Sequence, residues 1–473
     1  MDTHGTARGR NRLSTPILLG ARSTAAALLN ECASKTQMTK NTTVDVVVIG
    51  AGMAGLTAGR ALAEAGLKVL VVEAQDRIGG RIWTRHVGDE AIELGAEFVH
   101  GRPPELWALI EEAGLETYER DGAQVCFEDG ALSDCSGGMD SVFEPLQRLE
   151  DFSGPDMNFA DYLDCKKIVA EERSRIIGYV EGFNAADHRE VSVASLGVQQ
   201  KAEDADGSGH NYRLRGGYDQ LPRYLSERIT ELGGRVLTGT PVEEIRWEEG
   251  WVEVVSDLWS FNVPHAVITL PLAVLQRGKV KMEPPPRQIL EAAGRLRMGQ
   301  VRRFTLLFAE KFWEGLPPQP ALNEMSFLFA FTEMPPVWWT THPEKSHTIT
   351  GWVGGPRSAA LTGLDAKTLG DKACATLARI FGFQKQRIHG LLRGCYTHDW
   401  QHDRFSLGAY SYVATGGMDA SRQMTEPVAD TLFFAGEHTD ITGHWGTVHA
   451  AMRSGMRAAE QVLSAGCHRN VES

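Results

Sequence analysis

The loop Gly50-Ala51-Gly52-Met53-Ala54-Gly55 follows the β-branched run Val44–Ile49 and opens a helical stretch from Leu56 to Ala65, closed by Gly66. A second strand, Lys68 to Glu73, completes a βαβ unit within 30 residues. This arrangement limits the chain to a doubly wound α/β domain holding a dinucleotide on a helix N-terminus, where free N–H groups and partial positive charge meet a pyrophosphate. Gly50 supplies the tight turn, Gly52 the close backbone approach, and Gly55 the contact between helix and strand, with Met53 and Ala54 opening the helix between them. Glu73 lies 23 residues after Gly50. A carboxylate there accepts hydrogen bonds from both ribose hydroxyls and repels a 2′-phosphate.

Further small residues follow at once. Gly79-Gly80-Arg81 offers a second backbone approach to the diphosphate, with a guanidinium to neutralise it. Glu93-Leu94-Gly95-Ala96-Glu97-Phe98 places Gly95 and Ala96 where a flat ring can lie. Near the other end, Leu432–Gly436 reads as a short strand leading into Glu437-His438-Thr439, and Thr447, with Val448, begins a last helix through Leu463. Small residues along that helix permit close packing, and its N-terminus can stabilise negative charge on a reduced ring system.

Between these ends the pattern changes twice. Residues 102–213 carry long amphipathic stretches and are expected to be a mostly helical insertion. Glycine-punctuated α/β character returns from Gly216-Gly217 through a helix at Leu221–Leu232, a strand at Arg235–Leu237, a hairpin near Trp247–Val255 and a strand at Ala266–Leu270. Residues 273–394 mix helices with longer strands. The expected class is therefore α/β: a Rossmann-type domain assembled from 44–101, 214–272 and 395–465, with an α+β substrate-binding domain built from 102–213 and 273–394.

The chain carries 48 basic and 61 acidic residues, a net charge of −13. That balance argues against nucleic-acid binding, which requires an excess of Lys and Arg, and suits a cationic substrate or plain solubility. No apolar run is long enough for a membrane span. Seven cysteines without a CxxC pair point to free thiols in a reducing compartment. Residues 1–43 stand apart: Met1 to Lys40 holds six basic residues against Asp2 and Glu31. They read as a disordered extension, a stretch upstream of a start at Met38, or an organellar transit peptide. A cytoplasmic location is expected, with the organellar alternative open. Nothing points to a metal, and the oligomeric state is not legible.

Taken together, the motifs resemble the flavin amine oxidase family, which includes monoamine oxidases, polyamine oxidases and histone lysine demethylases. The matching pieces are Val48–Gly55, Glu73-Ala74, Arg77–Arg81, Glu93–Ala96, Gly216–Tyr218, Thr269–Leu272, Phe312-Trp313 and Ala435–Thr439, spread from about Val44 to Leu463. The resemblance is closest to polyamine oxidase-like members. It implies FAD in an extended pose, cradled by Gly50, Gly52, Met53, Ala54, Gly55, Glu73, Gly79, Gly80, Arg81, Gly95, Ala96, Gly436, Glu437, Thr447 and Val448. It also implies backbone contact between Val242 and adenine, a small-molecule amine at the flavin face, and O2 as electron acceptor. Monoamine oxidases attach the flavin through a cysteine where this chain has Ala409, so the FAD is expected to be noncovalent.

Four positions bear on the substrate. Gly95–Gly101 resembles a stretch of animal polyamine oxidases in which the residue matching His100 lies near the substrate amine; packing is the alternative. Tyr410 matches one wall of the family's aromatic cage, while the other wall is replaced by Thr447. Thr447-Val448-His449 is similar instead to the demethylases, and Trp445 or His444 is a substitute wall. Most relatives carry lysine where this chain has Arg303, four residues past Gly299. Arg303 is expected to hold a water at the flavin or reach a substrate carboxylate, with a structural ion pair as the alternative. The leading expectation is oxidation of a polyamine or other cationic amine. A dehydrogenase or desaturase of a nonpolar carbocycle using another acceptor is the second, and a noncatalytic flavin-bearing module the third.

Overall fold

Val46–Ile49 (β1) is buried along its whole length, which places this run of β-branched residues at the centre of a parallel sheet. The structure, a computed structural model, describes residues 44–136, 149–166, 168–207, 209–257 and 259–472. The expectations for residues 1–43 lie outside the described residues.

After β1 come helix α1 (Met53–Glu64), strand β2 (Val69–Val72), helix α2 (Gln220–Glu231), strands β3 (Arg235–Leu237) and β4 (His265–Ile268), strand β5 (Leu432–Phe434) and helix α3 (Val448–Glu472). The sheet order is β3-β2-β1-β4-β5, parallel throughout. Strand order reverses at β1, so a crevice opens beyond the carboxyl ends of the strands. Helix α3 crosses α1 closely because Gly455 has no side chain: a Cβ there would overlap the Ala54 carbonyl oxygen.

A seven-stranded sheet forms the second layer. Its order runs Leu392–Thr397, Val301–Phe308, Thr348–Gly354, Val337–Trp339, Met325–Phe329, Ala123–Glu128 and Ala131–Asp134. All neighbours are antiparallel except Met325–Phe329 with Ala123–Glu128. Side chains alternate across it. Phe304, Leu306, Phe308 and Trp338 join the core beneath helix Ala366–Ile380, while Arg303, Phe327, Trp339 and Trp352 face the crevice. This alternation leaves a cavity wall that is aromatic and carries one arginine from the strand Val301–Phe308.

Two expectations need correction. Residues 102–213 are helical mainly over 159–206; Thr117–Glu119, Ala123–Glu128, Ala131–Asp134 and Asn211–Leu214 are strands. The short alternation in Ala123–Glu128 and its pairing with a distant strand outweigh local propensity there. Cysteines 126 and 135 are also not free thiols: they form a disulfide across the hairpin of Ala123–Glu128 and Ala131–Asp134. Cys165, Cys374, Cys395 and Cys467 are free, and Cys32 lies outside the described residues. No helix among the described residues is long and apolar enough to cross a membrane.

Candidate active site

The loop after β1 is shaped by what cannot fit there. Gly50 has φ 107°, and a Cβ would stand 2.5 Å from Thr269 Oγ1; at Gly55 it would overlap the Gly50 carbonyl. Above Gly52 the Cβ position is open, with nothing within 4 Å, so backbone faces the crevice directly. Gly79 bridges to Gly52, and its N–H donates to the Ala51 carbonyl at 2.8 Å. Glu73 ends the same row: one carboxylate oxygen accepts from Ala51 N–H at 2.8 Å and the other from Gln75 N–H at 2.9 Å. Burial pushes the Glu73 carboxyl above the usual range, and these amides counter it. Thr240 and Val242 lie beside it.

At the centre, Arg81 donates to the Ala409 carbonyl at 2.8 Å and to Glu437 at 2.7 Å. Burial alone would raise the Glu437 carboxyl, but Arg81, with Ser411 Oγ, holds it below the usual range. Glu437 also accepts from Gly446 N–H at 3.0 Å. The pair thus ties 409–411 to Gly446, so part of the Arg81 fork serves the scaffold. Thr447 Oγ1 accepts from Ala450 N–H at 3.1 Å and donates to the His444 carbonyl at 2.8 Å. Its hydroxyl therefore serves the first turn of α3, and that turn, with Thr447, Val448 and Ala451, borders the cavity.

Beyond Gly95 the walls change character. Arg303 donates to the Gly95 carbonyl and to Glu97, each at 2.6 Å. Glu97 also binds Arg213 and accepts from Trp339 Nε1 at 3.1 Å to each oxygen. Burial would raise the Glu97 carboxyl, yet Arg213 and Arg303 keep it below the ordinary range. Arg303 therefore forms the structural ion pair that was the alternative expectation for it, and it also lines the cavity.

His100 stands against Phe98 and Phe183, ring centroids 6.0 Å and 5.9 Å away. Burial, with Arg120 nearby, lowers its pKa to about 4 despite a hydrogen bond with Asn211. His449 is lowered further, to about 2, by burial and by His444, Arg453 and His100. Tyr410 Oη donates to the Phe183 carbonyl at 2.5 Å, and its ring lies against Gly446, where a Cβ would meet it at 2.8 Å. Tyr179 stacks on Phe183 at 5.6 Å. Next to them Asn184 donates to Gln199 at 2.7 Å, and Gln199 donates to Glu203 at 2.8 Å. Burial raises the Glu203 carboxyl to about 7.

One cavity of about 970 Å³ joins all of this, from Glu73 to Glu203. Every position singled out from the sequence lines it except Gly55, which packs behind Gly50. The open backbone at Gly52, the ordered carboxylate of Glu73 and the helix start at Val448 fit an extended dinucleotide that ends in a flat ring. The model of the family described as flavin containing amine oxidoreductase matches residues 53–164 and 155–463. The chain belongs to this family. Its cofactor is FAD, and Glu73, the Gly50–Gly55 loop, Gly79–Arg81, Val242 and the 436–448 segment are the residues that would hold it.

Members of the flavin amine oxidoreductases similar to this chain include "Lysine-specific histone demethylase 1 homolog 2" of Arabidopsis thaliana, 28% identical over 88% of this chain and 58% of that protein. "Polyamine oxidase 3" of Oryza sativa subsp. japonica is 29% identical over 89% of this chain and 90% of its own length. The chain spans little more than half the length of the demethylase relatives it matches. Among solved structures, putrescine oxidase bound to putrescine superposes with a TM-score of 0.76 at 23% identity, over 89% of this chain and 99% of that one. Cyclohexylamine oxidase from Brevibacterium oxydans IH-35A is 22% identical over 89% of this chain and shares the fold.

Sequence reasoning did not find Arg120, Arg213, Glu203 or the pairing of Glu97. Glu97 sits inside a motif that was read, but its partners are 116 and 206 residues away. The helix Val193–Asp206 gave no signal that sets Glu203 apart from its acidic neighbours.

Proposed function

We propose that this chain oxidises a polyamine or other cationic amine on a noncovalent FAD. FAD, when bound, takes a hydride from the carbon next to the amine nitrogen and passes the electrons to O2 as H2O2, while the resulting imine hydrolyses in water. The protein's part is positioning and exclusion of water. The aromatic walls Phe327, Trp339 and Trp352 keep the chamber dry, and Tyr410 and Phe183 flank the approach. His100 and His449 stay neutral, so they present hydrogen-bonding nitrogens without repelling a cation and supply no strong base.

The observation that carries this reading is continuity: the cavity lined by the dinucleotide motifs runs directly into an aromatic chamber with Glu203 on its wall. A carboxylate ordered by Gln199 beside Tyr179 and Phe183 suits a second ammonium group. Relatives named polyamine oxidases support the same substrate class. No cysteine lines the cavity among the described residues, which supports a flavin without a covalent link.

Anaerobic mixing with spermine, spermidine, tyramine and amino acids tests it: at least one should bleach the flavin band, and air should then yield peroxide. Bleaching by none would remove the amine reading and leave the flavin. A second reading, dehydrogenation of a nonpolar carbocycle with another acceptor, draws on Arg303 standing where relatives carry lysine. Substrate turnover without peroxide, but with rapid dye or quinone reduction, would favour it.

A further inference from the structure

The chamber wall beside His100 carries an arginine that no carboxylate pairs among the described residues. Arg213 and Arg303 both pair with Glu97. A third guanidinium, Arg120, lines the same cavity and forms no ion pair among the described residues. It is held in place from behind: Nη1 donates to Ser326 Oγ at 2.5 Å, the guanidinium lies 4.3 Å from the Phe327 ring centroid, and its backbone N–H donates to the Asn211 carbonyl at 2.7 Å. Nε is buried without an acceptor. Burial and the nearby Arg213 lower the Arg120 pKa to about 10, so it is cationic at any physiological pH.

The acids next to it in the chain offset part of its charge but make no ion pair with it, and their hydrogen bonds go elsewhere. Glu119 pairs with His210, and Asp121 accepts from the Gly122 N–H. A pre-ordered guanidinium on the chamber wall, with no carboxylate partner among the described residues, suits a planar anion. It is a poor neighbour for a substrate that is purely cationic, because like charges in a dry site repel strongly.

We infer that Arg120 binds a carboxylate of the substrate, so that the preferred substrate is an amine that also carries a carboxylate group. This rests on the amine-oxidising reading above and narrows it. Glu203 takes a distal ammonium and Arg120 the carboxylate, so that an α,ω-diamino acid engages both groups where a simple polyamine engages Glu203 alone. The same guanidinium adds to burial in keeping His100 neutral.

Matched pairs test this directly, since lysine and cadaverine, or ornithine and putrescine, differ only by the carboxylate. In the holoenzyme the carboxylated member of a pair should reduce the flavin with the higher kcat/KM. Arg120→Met should lower that value by about 10- to 100-fold while leaving the decarboxylated amine unchanged or improved. Arg120→Lys, which keeps the charge but not the fork, should restore part of the loss. A wild-type preference for the decarboxylated amine, or equal ratios in wild type and Arg120→Met, would overturn the assignment. Benzoate separates this test from the amine reading. Should no amine bleach the flavin, a benzoate-induced shift of the flavin spectrum that is lost in Arg120→Met still supports the site. No shift, or equal benzoate affinity in both proteins, refutes it.

Discussion

Glu97 and Arg303 make opposite predictions for two conservative-looking substitutions. Arg303→Met removes one of two arginines from Glu97. The carboxylate keeps Arg213 and the Trp339 indole N–H, so it remains paired. What is lost is a charge-assisted bond to Glu97 and one to the Gly95 carbonyl, each 2.6 Å. Such bonds are worth about 1.5–3 kcal/mol each, and relief from desolvating a buried cation offsets part of their loss, leaving a cost of about 1–3 kcal/mol. Glu97→Gln does the reverse. It leaves Arg213 and Arg303 facing each other in a wall where their side chains are 5% and 4% exposed. Removing one partner of a buried pair costs about 3–5 kcal/mol, and here two cations are left. Thermal unfolding of both holoproteins, followed by circular dichroism, should therefore rank Glu97→Gln well below Arg303→Met. The double variant should be less destabilised than the sum of the two. If Arg303→Met unfolds as early as Glu97→Gln, or if the two effects add, Glu97 is not the shared anchor of both arginines.

Other expectations follow from the same geometry. Glu73→Ala strips a ribose acceptor and leaves the Ala51 and Gln75 amides without partners, so FAD should dissociate on gel filtration, with affinity down by at least about a hundredfold; retention of the full yellow complement would contradict the ribose assignment. Arg303→Met should slow reoxidation by O2 more than reduction by substrate in stopped-flow traces, and unchanged rates in both half-reactions would retire its flavin-side role. Glu203, raised to about 7, loses its proton as pH rises through that value, so KM for a diamine should fall across the same interval, and Glu203→Gln should flatten the dependence. His100 and His449, lowered to about 4 and about 2, should contribute no inflection to kcat/KM between about pH 5 and 8. A histidine-dependent step there, abolished in His100→Gln, would mean the ring is charged in the free enzyme.

The dinucleotide half of the molecule was legible because its signals are local. Strand, glycine loop, helix and Glu73 lie within one short stretch; Gly50 and Gly55 answer steric demands made by Thr269 and by the loop's own backbone, while Gly52 leaves its face open to the crevice. The substrate half was legible only in part. His100, Tyr410 and Arg303 were readable by resemblance, but what they touch was not. Phe183 joins His100 to Tyr179 and receives the Tyr410 hydroxyl at its carbonyl, though it lies in a helix with no distinguishing pattern. Arg120 looks like any surface arginine between Glu119 and Asp121 until the strand Met325–Phe329 folds against it. Thr447 illustrates the reverse case: expected where a cage wall should be, it uses its hydroxyl at the helix start, and the ring packed beside it against Gly446 is that of Tyr410. The Cys126–Cys135 bridge was missed for a similar reason, since odd cysteine number and wide spacing describe composition, whereas a tight hairpin decides which sulfurs meet.

The most direct measurement is the flavin content of the purified chain before and after acid precipitation. The account predicts one FAD per polypeptide, released quantitatively into the supernatant. Protein that folds yet takes up no flavin when supplied with it, or that keeps its colour in the precipitate, would contradict it.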